Sequence, residues 1–544
     1  MASLALPAAA ADPARPVTPA PTPAADEPTH EVGFRKWLIT LTVITCAIME
    51  LIDTSIVNVA TRDIAGNLGA TTDEAAWVIT AYAVSNIVVI ALTGFLSNKF
   101  GRKHYFTFSV ALFTFASFMC GSAHSIGALV LWRFVQGLGG GALLATAQTV
   151  LVETFPPDEI NKANGIFGAG IVMGPALGPV LGGYLIDNFH WGWIFYVNVP
   201  IGLLATFLSW RFIKDIKRPV GRVDYVGIGL LAVGIGGLQV VLEEGQRKDW
   251  FDSAFIVTTS IFAALGIVLF VVRMLRQAEP VVNLRVLGNR NVAIGAVLRF
   301  AFGVCLFASV FLYPLFVQSF LGWTATRTGL LILPSSLLTG MTMGGMSAAM
   351  RKGLNPKILI IVGFGFVMAY EILTYQLATP QSGEWDLFWP QLFRGVGFGF
   401  IFVPISFLIL AGLKGKDIGQ VAGLGNMMQL LGGAVGLAAI NTFVTRRTSV
   451  HRLDLLPNIS LANPAAIARF DGLTASFLRN GHSLGEAQRM AVGTLEGIVS
   501  KQAAIISYAE GFMLLAFVCM AAVPFVLLAR FRKGGPAVDL SAAH

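Results

Sequence analysis

Apolar runs long enough to cross a bilayer recur along most of the chain. A hydrocarbon core about 30 Å thick is crossed by about 20 residues of helix. Such runs lie at 37–60, 76–97, 105–122, 128–150, 164–186, 193–212, 223–242, 254–273, 292–317, 327–350, 357–378, 387–411, 419–445 and 507–530. They predict an all-α polytopic membrane protein of about fourteen transmembrane helices, since lipid offers no partner to an open strand edge. The runs are continuous, without the alternating ten-residue segments that a membrane barrel requires. One connection breaks the rhythm. Within 446–506, NPAAIARFDGLTASFLRNG and SLGEAQRMAVGTLEGIVSKQAAII keep apolar residues at helical spacing and predict a helical hairpin outside the membrane. Residues 1–33, rich in Ala and Pro, and the polar stretch 531–544 are expected to be unpacked tails. The first of these lacks the basic-then-apolar order of a signal peptide.

Composition narrows the function. Hydrophobic residues make up 55% of the 544 positions and charged residues 12%, with a mean hydropathy of +0.71. So few charges do not cover a soluble fold of this size, which excludes a soluble enzyme, a disordered chain and a nucleic-acid binder. The net charge of +8 is unevenly placed. If the first connection is external, Arg35, Lys36, Lys99, Arg102, Lys103, Lys214, Lys217, Arg273, Arg276 and Lys352 fall on one side, against Arg62, Arg247, Lys248 and Arg327 on the other. That bias puts both termini in the cytoplasm. The four cysteines lie in apolar runs, so no disulfide framework is implied. No phosphate-binding G-x-x-x-x-G-K-[ST] loop, no HExxH and no metal-ligating cluster occurs, so no cofactor, metal or enzymatic centre is expected. The run GLGGGALL from Gly137 lies inside an apolar helix, where small residues serve close packing.

Ionisable groups within spans cost about 2.5–3.5 kcal/mol each on insertion scales and ordinarily have a partner or a task. Glu50, Asp53, Arg133, Glu371 and Arg394 stand out, with Arg299 a sixth. Glu50 and Asp53 are three apart and share a helix face. Asp53 lies about 24 Å of helix rise from Trp37, and Arg133 about 8 Å from the outer start of its span, so their depths match. An Asp53–Arg133 pair is thus geometrically possible, either as a static register lock or as a proton switch. In a switch, burial favours the neutral carboxyl and the guanidinium favours the charged one. Glu371 and Arg394 lie about 10 Å and 9 Å from the outer ends of their spans and predict a second pair. Arg299 either lines a cavity or packs against carbonyls.

The fifth span reads GAGIVMGPALGPVLGGYL. Gly170, Gly174, Gly178 and Gly182 recur every four residues and form a smooth face, with Pro175 and Pro179 on an adjacent stripe. That face predicts either tight packing or a sliding seam between two halves. The turn after the second span, GFLSNKFGRKHY, is short and basic.

LIDTSIVNVA, GFLSNKFGRK, LVLWRFVQGLGGG, GIVMGPALGPVLGG and HWGWIFYVNVPIG together resemble the major facilitator superfamily, in particular its fourteen-helix drug/proton antiporter branch of the EmrB/QacA type. The resemblance covers nearly all of 37–530. It departs at Asn98 and Lys99, where the loop motif has aspartate and arginine, and at Gly192, where arginine is usual. It implies a six-helix half at 34–213, two inserted helices at 214–285, and a second six-helix half at 286–530 that includes the hairpin 446–506. It assigns proton coupling to Asp53, Arg133 and Glu50, and a substrate cavity to Glu50, Glu371, Arg394 and Arg299. Gly170, Gly174, Pro175, Gly178, Pro179 and Gly182 would form an antiporter seam. Gly94, Asn98, Lys99, Gly101, Arg102 and Lys103 would form a cytoplasmic latch, weakened by the missing aspartate. The implied function is proton-driven export of hydrophobic drugs across a bacterial inner membrane, without a cofactor. The long outer segment implies a periplasmic membrane-fusion adaptor and an outer-membrane channel as partners. The rival readings are a dedicated exporter of an endogenous metabolite or siderophore, and a non-transporting receptor or assembly subunit. The buried acids disfavour the last of these.

Overall fold

The computed structural model describes residues 33–156, 159, 167, 168, 170, 174, 177, 178, 181–217, 224–277, 280, 282–410, 417–459 and 462–529. Both expected tails lie outside them, except Gly33. Thirteen stretches among the described residues are helical, long and apolar enough to cross a membrane. A further helix, α6, is helical at its described positions between 167 and 188, where the fifth span was expected. The count of about fourteen therefore holds, and no strand occurs among the described residues.

The first helices are α1 (Phe34–Leu68), α2 (Thr72–Phe100), α3 (Arg102–Gly121), α4 (Ile126–Gly140) and α5 (Leu143–Thr154). After α6 come the single turn α7 (Trp193–Tyr196) and α8 (Asn198–Phe212). These pack mainly on one another. The starts are written locally. Thr71 accepts from the Glu74 amide while Glu74 reaches back to Thr71, closing a capping box on α2, and Ser125 caps α4. The expected fourth span is two helices broken at Gly141 and Ala142. Its glycines serve approach: a Cβ on Gly139 would lie 2.7 Å from the Phe113 amide nitrogen, and one on Gly141 2.5 Å from the Asn86 carbonyl.

An inserted unit follows, α9 (Tyr225–Leu231), a π-helical turn and α10 (Gly237–Glu244), then α11 (Ala254–Arg276). Asp224 caps α9 through the Gly227 amide at 2.9 Å and is clamped by Arg273 of α11, with nitrogen–oxygen distances of 2.7–2.9 Å. Glu244 is buried against α2, accepting from the Thr80 hydroxyl at 2.9 Å.

The second set is α12 (Arg290–Phe320), α13 (Ala325–Arg351), α14 (Pro356–Leu377), α15 (Glu384–Leu410), α16 (Asp417–Leu455), α17 (Pro464–Arg479) and α18 (Leu484–Leu528). Both expected helical stretches of the outer segment are helical. The first is α17 and the second is the opening part of α18, joined by a short turn, so the second arm runs on into the last span. α16 and α18 have 39 and 45 residues. At 1.5 Å per residue that is about 58 and 68 Å, roughly twice the hydrocarbon thickness. The last two spans thus continue beyond the membrane, tied by Arg447 to Glu510 at 2.5 and 2.6 Å and by Arg452 to Glu496, with α17 packed on α18.

The two sets join at one end. At the end where α1 begins, a single apolar cluster runs from Val43, Phe113, Phe155 and Phe167 into Phe302, Met343, Phe364 and Phe402. At the opposite end the cores separate. One holds Ile56, Val78, Leu129 and Phe195; the other holds Leu312, Phe316, Leu387 and Phe512.

The glycine face of α6 does not lie between the sets. Cβ atoms on Gly170, Gly174 and Gly182 would lie 3.0, 2.5 and 2.8 Å from Ile48, Leu51 and Ile56 of α1, and one on Gly178 would overlap Ser55. Four-residue spacing fixes a face but not its partner, and here the partner is α1. Among the described glycines of α6, Gly168, outside the repeat, meets the second set, at Met343. Pro175 and Pro179 lie outside the described residues.

The basic turn likewise works within the first set. Arg102 pairs with Glu153, and its amide donates to the Ile216 carbonyl at 3.1 Å. Gly101 has φ +90°, and a Cβ there would strike Asp215, which accepts from His104 at 3.0 Å. Lys99 lies over Phe100 and Lys103 over Trp210. Asn98 is half-buried and Gly94 faces open space. The latch expected between halves is, in its described charge contacts, a clasp between the α2–α3 turn, α5 and the segment after α8.

Candidate proton and substrate sites

Depth alone matched Asp53 to Arg133, and the fold brings them together. α1 and α4 place them so that Arg133 Nη1 donates to Asp53 Oδ2 at 2.6 Å. Both are buried, at 0% and 1% exposure. A lone buried pair ordinarily fails to recover its desolvation cost, so the remaining lone pairs matter. Asp53 Oδ1 accepts from Gln136 Nε2 at 2.9 Å and from Asn198 Nδ2 at 2.8 Å. Arg133 Nε donates to the Val78 carbonyl at 3.1 Å and Nη1 to Gln136 Oε1 at 2.7 Å. Gln136 also donates to Ser117 at 2.6 Å, and the guanidinium lies 4.2 Å from the Tyr82 ring centre. Sequence reasoning missed Asn198 and Ser117. Their signal, polar residues inside apolar helices, was present but had no assigned azimuth.

Glu50, one turn earlier on α1, is held differently. Asn86 of α2 donates to Oε1 at 2.9 Å, and the Leu144 amide donates to Oε2 at 3.1 Å. That amide is free because the helix breaks at Ala142, a residue with no side chain able to cap α5. Glu50 of another helix takes the cap position, where the helix dipole favours negative charge. A backbone partner of this kind leaves no mark in the residue pattern.

The expected Glu371–Arg394 pair does not form. Both are fully buried, but no ion pair within 4.0 Å joins them among the described residues. Glu371 Oε1 accepts from the Ser309 hydroxyl. Arg394 stands 5.5 Å from the Tyr370 ring centre, and its three nitrogens have no hydrogen-bond partner among the described residues. Helix rise gave their heights correctly; it carries no information on which way each side chain faces.

Arg299 lies near a narrow cleft between the two sets. Leu51, Leu144, Gln148 and Phe167 line it from one side, and Phe307, Phe402, Asn426 and Gln429 from the other. Arg299 Nη1 donates to Gln429 Oε1 at 2.6 Å and Nη2 to Ser406 Oγ at 2.5 Å, and the guanidinium sits 4.5 Å from the Phe402 ring centre. No acidic partner for it is recorded among the described residues. Asn426 donates to Gln148 at 3.0 Å across the cleft. Glu50 reaches its edge through Leu144. No group of three or more metal-ligating side chains occurs among the described residues.

Comparison with known proteins bears on this arrangement. The Major Facilitator Superfamily profile matches residues 43–437. The fatty acid resistance protein FarB of Neisseria gonorrhoeae is 32% identical over 515 residues, covering 94% of this chain and 99% of that protein. The multidrug export protein EmrB of Escherichia coli K12 is 31% identical over 510 residues, covering 92% and 97%. Among solved structures, an inward-facing, unoccupied bacterial homolog of the human lysosomal transporter Spinster matches at TM-score 0.52 and 14% identity, covering 93% of this chain and 100% of that one. That likeness speaks to the fold alone. The superfamily match over most of the length and the two relatives at this identity establish that the chain belongs to the Major Facilitator Superfamily, as a multi-pass membrane transporter related to EmrB and FarB.

Proposed function

We propose that the protein is a proton-driven antiporter that exports hydrophobic and amphipathic drugs by alternating access, rocking its two halves about the central cleft. One observation supports this most. Asp53, a carboxylate fully out of water, is the hub that joins α1 to α4 and α8 through Arg133, Gln136 and Asn198. A proton on Asp53 removes the charge that Arg133 holds and loosens that joint. α1 also carries Glu50 and packs on the glycine face of α6, so a change at Asp53 reaches the cleft. One charge moving down 100 mV yields about 2.3 kcal/mol, enough for uphill export. The halves run over 34–213 and 286–530, with 214–285 inserted between them. The protein sits in the bacterial inner membrane with both termini cytoplasmic, needs no cofactor, and uses its outer helices to dock a periplasmic adaptor and outer-membrane channel. The apolar cluster at the end where α1 begins is then the closed cytoplasmic gate.

Arg299 favours a second reading of the cargo. A guanidinium near the cleft with no acidic partner among the described residues suits a carboxylate-bearing amphiphile, an endogenous acidic metabolite included. FarB, named for fatty acid resistance, is similar along nearly its whole length. A susceptibility panel in a pump-deleted host, comparing drugs with long-chain acids and run with and without an uncoupler, tests both. Protection that an uncoupler does not reduce contradicts proton drive. Protection against drugs that survives Arg299→Gln while protection against acids is lost separates the cargoes.

A further inference from the structure

The fold repeats its buried polar cluster with the residue types exchanged. Asp53 and Ser309 each lie nineteen residues beyond the first residue of α1 and α12. Ser117 and Glu371 each lie fifteen beyond the start of α3 and α14. Arg133 and Gln391 each lie seven beyond the start of α4 and α15, and Gln136 and Arg394 each ten. These are the first, third and fourth helices of each set. At every matched position the chemistry is swapped: acid for hydroxyl, hydroxyl for acid, guanidinium for amide, amide for guanidinium.

The two clusters also differ in closure. In the first, the acid is clasped by its guanidinium and two amides. In the second, Glu371 holds only the Ser309 hydroxyl, and its Oε2 has no partner among the described residues. Arg394, both polar atoms of Gln391 and the hydroxyls of Tyr313 and Tyr370 are likewise buried without a hydrogen bond there. A charged carboxylate left with one hydroxyl is costly in such a site, whereas a neutral carboxyl is tolerated. α14 and α15, which carry the two charged groups, meet at facing glycines. A Cβ on Gly397 would lie 2.6 Å from Val367 Cγ2 and 2.9 Å from the Gly363 carbonyl, so the two helices approach closely there.

We propose that Glu371 is a second hydrogen-ion site, opened and closed by Arg394 and set in the opposite state to Asp53. The proton sits on Oε2 while Arg394 is apart. When it leaves to water, the carboxylate accepts hydrogen bonds from the Arg394 guanidinium across the glycine contact. The groups around Glu371 are Arg394 and Gln391 from α15, Ser309, Tyr313 and Cys305 from α12, Cys519 from α18, and Tyr370 from α14 itself. The site itself does not depend on the proton-driven reading; its coupling to cargo does.

Infrared difference spectra of the full-length protein in lipid, recorded through a pH titration, test the site directly. Beside the bands of other buried acids, wild type is expected to show a titrating carboxyl C=O component that is lost in Glu371→Gln and present, at a shifted frequency, in Glu371→Asp. A titrating C=O difference spectrum of Glu371→Gln identical to that of wild type overturns the proposal. Coupling is read in liposomes at zero voltage with ethidium as the probe, as the pH gradient that just balances a fixed ethidium gradient. Glu371→Gln is expected to need twice the wild-type pH gradient, and Glu371→Asp the same gradient as wild type. A Glu371→Gln balance point equal to wild type overturns the second proton. Asp53→Asn measured alongside separates the two readings: pH-driven export that survives in Asp53→Asn defeats the role of Asp53 and leaves the Glu371 band standing.

Discussion

A carboxylate buried in a bundle of this thickness is stable only if its lone pairs are occupied, and Asp53 occupies them with an arginine and two amides. Arg133→Ala leaves that charge uncompensated and is expected to cost about 3–5 kcal/mol. The double change Asp53→Asn with Arg133→Gln is expected to cost less than the sum of the single changes, which a double-mutant cycle by thermal or chemical denaturation checks. How much of this was legible depended on what each contact needs. Asp53 with Arg133 required only height along two helices, which residue number supplies. Gln136 and Asn198 needed rotational phase as well. Glu50 needed a helix break in another segment to free the Leu144 amide. Glu371 and Arg394 have matching heights and no contact, the case in which height misleads.

Helix contacts here are set largely by glycine, and single methyl groups test them. A Cβ on Gly303 of α12 would overlap the Gln429 carbonyl of α16, whereas Gly365 of α14 has nothing within 4 Å of its Cβ position. Gly303→Ala is expected to cost about 1–3 kcal/mol through overpacking, with Gly365→Ala close to wild type in thermal unfolding. The inserted helices are pinned by Asp224, whose carboxyl is held below its ordinary range chiefly by the Arg273 hydrogen bonds. A depressed carboxyl contributes stability above its unfolded pKa and loses it as pH falls through the folded value. Asp224→Asn is therefore expected to lower the unfolding temperature at pH 7, by an amount that shrinks progressively as pH falls below the ordinary aspartate pKa near 3.9. The spans were legible because each is a run of apolar residues of fixed length. The break at Ala142 and the reach of α16 and α18 beyond the membrane were not, because neither alters local hydrophobicity at the point where it begins.

At the scale of the whole molecule, the two helix sets share one apolar cluster at the end where α1 begins and keep separate cores at the other end. The proposed alternating access requires the shared cluster to part while the far cores come together. The bias of the basic residues predicts the orientation. A reporter fused after residue 529 is expected on the cytoplasmic side, and a cysteine placed at the Asn480–Gly481 turn is expected to react with an impermeant reagent added outside. Labelling only from the inside contradicts this orientation. The division into two sets was read from family resemblance, since composition is uniform along the chain and marks no boundary. The central claim, that protonation of Asp53 drives transport, is tested most directly by purified protein in liposomes with an imposed pH gradient. Ethidium movement and proton counterflow are recorded together. Wild type should move both at a fixed ratio, and Asp53→Asn, with folding intact, should move neither under the gradient. Gradient-driven ethidium movement with proton counterflow in Asp53→Asn would contradict the account.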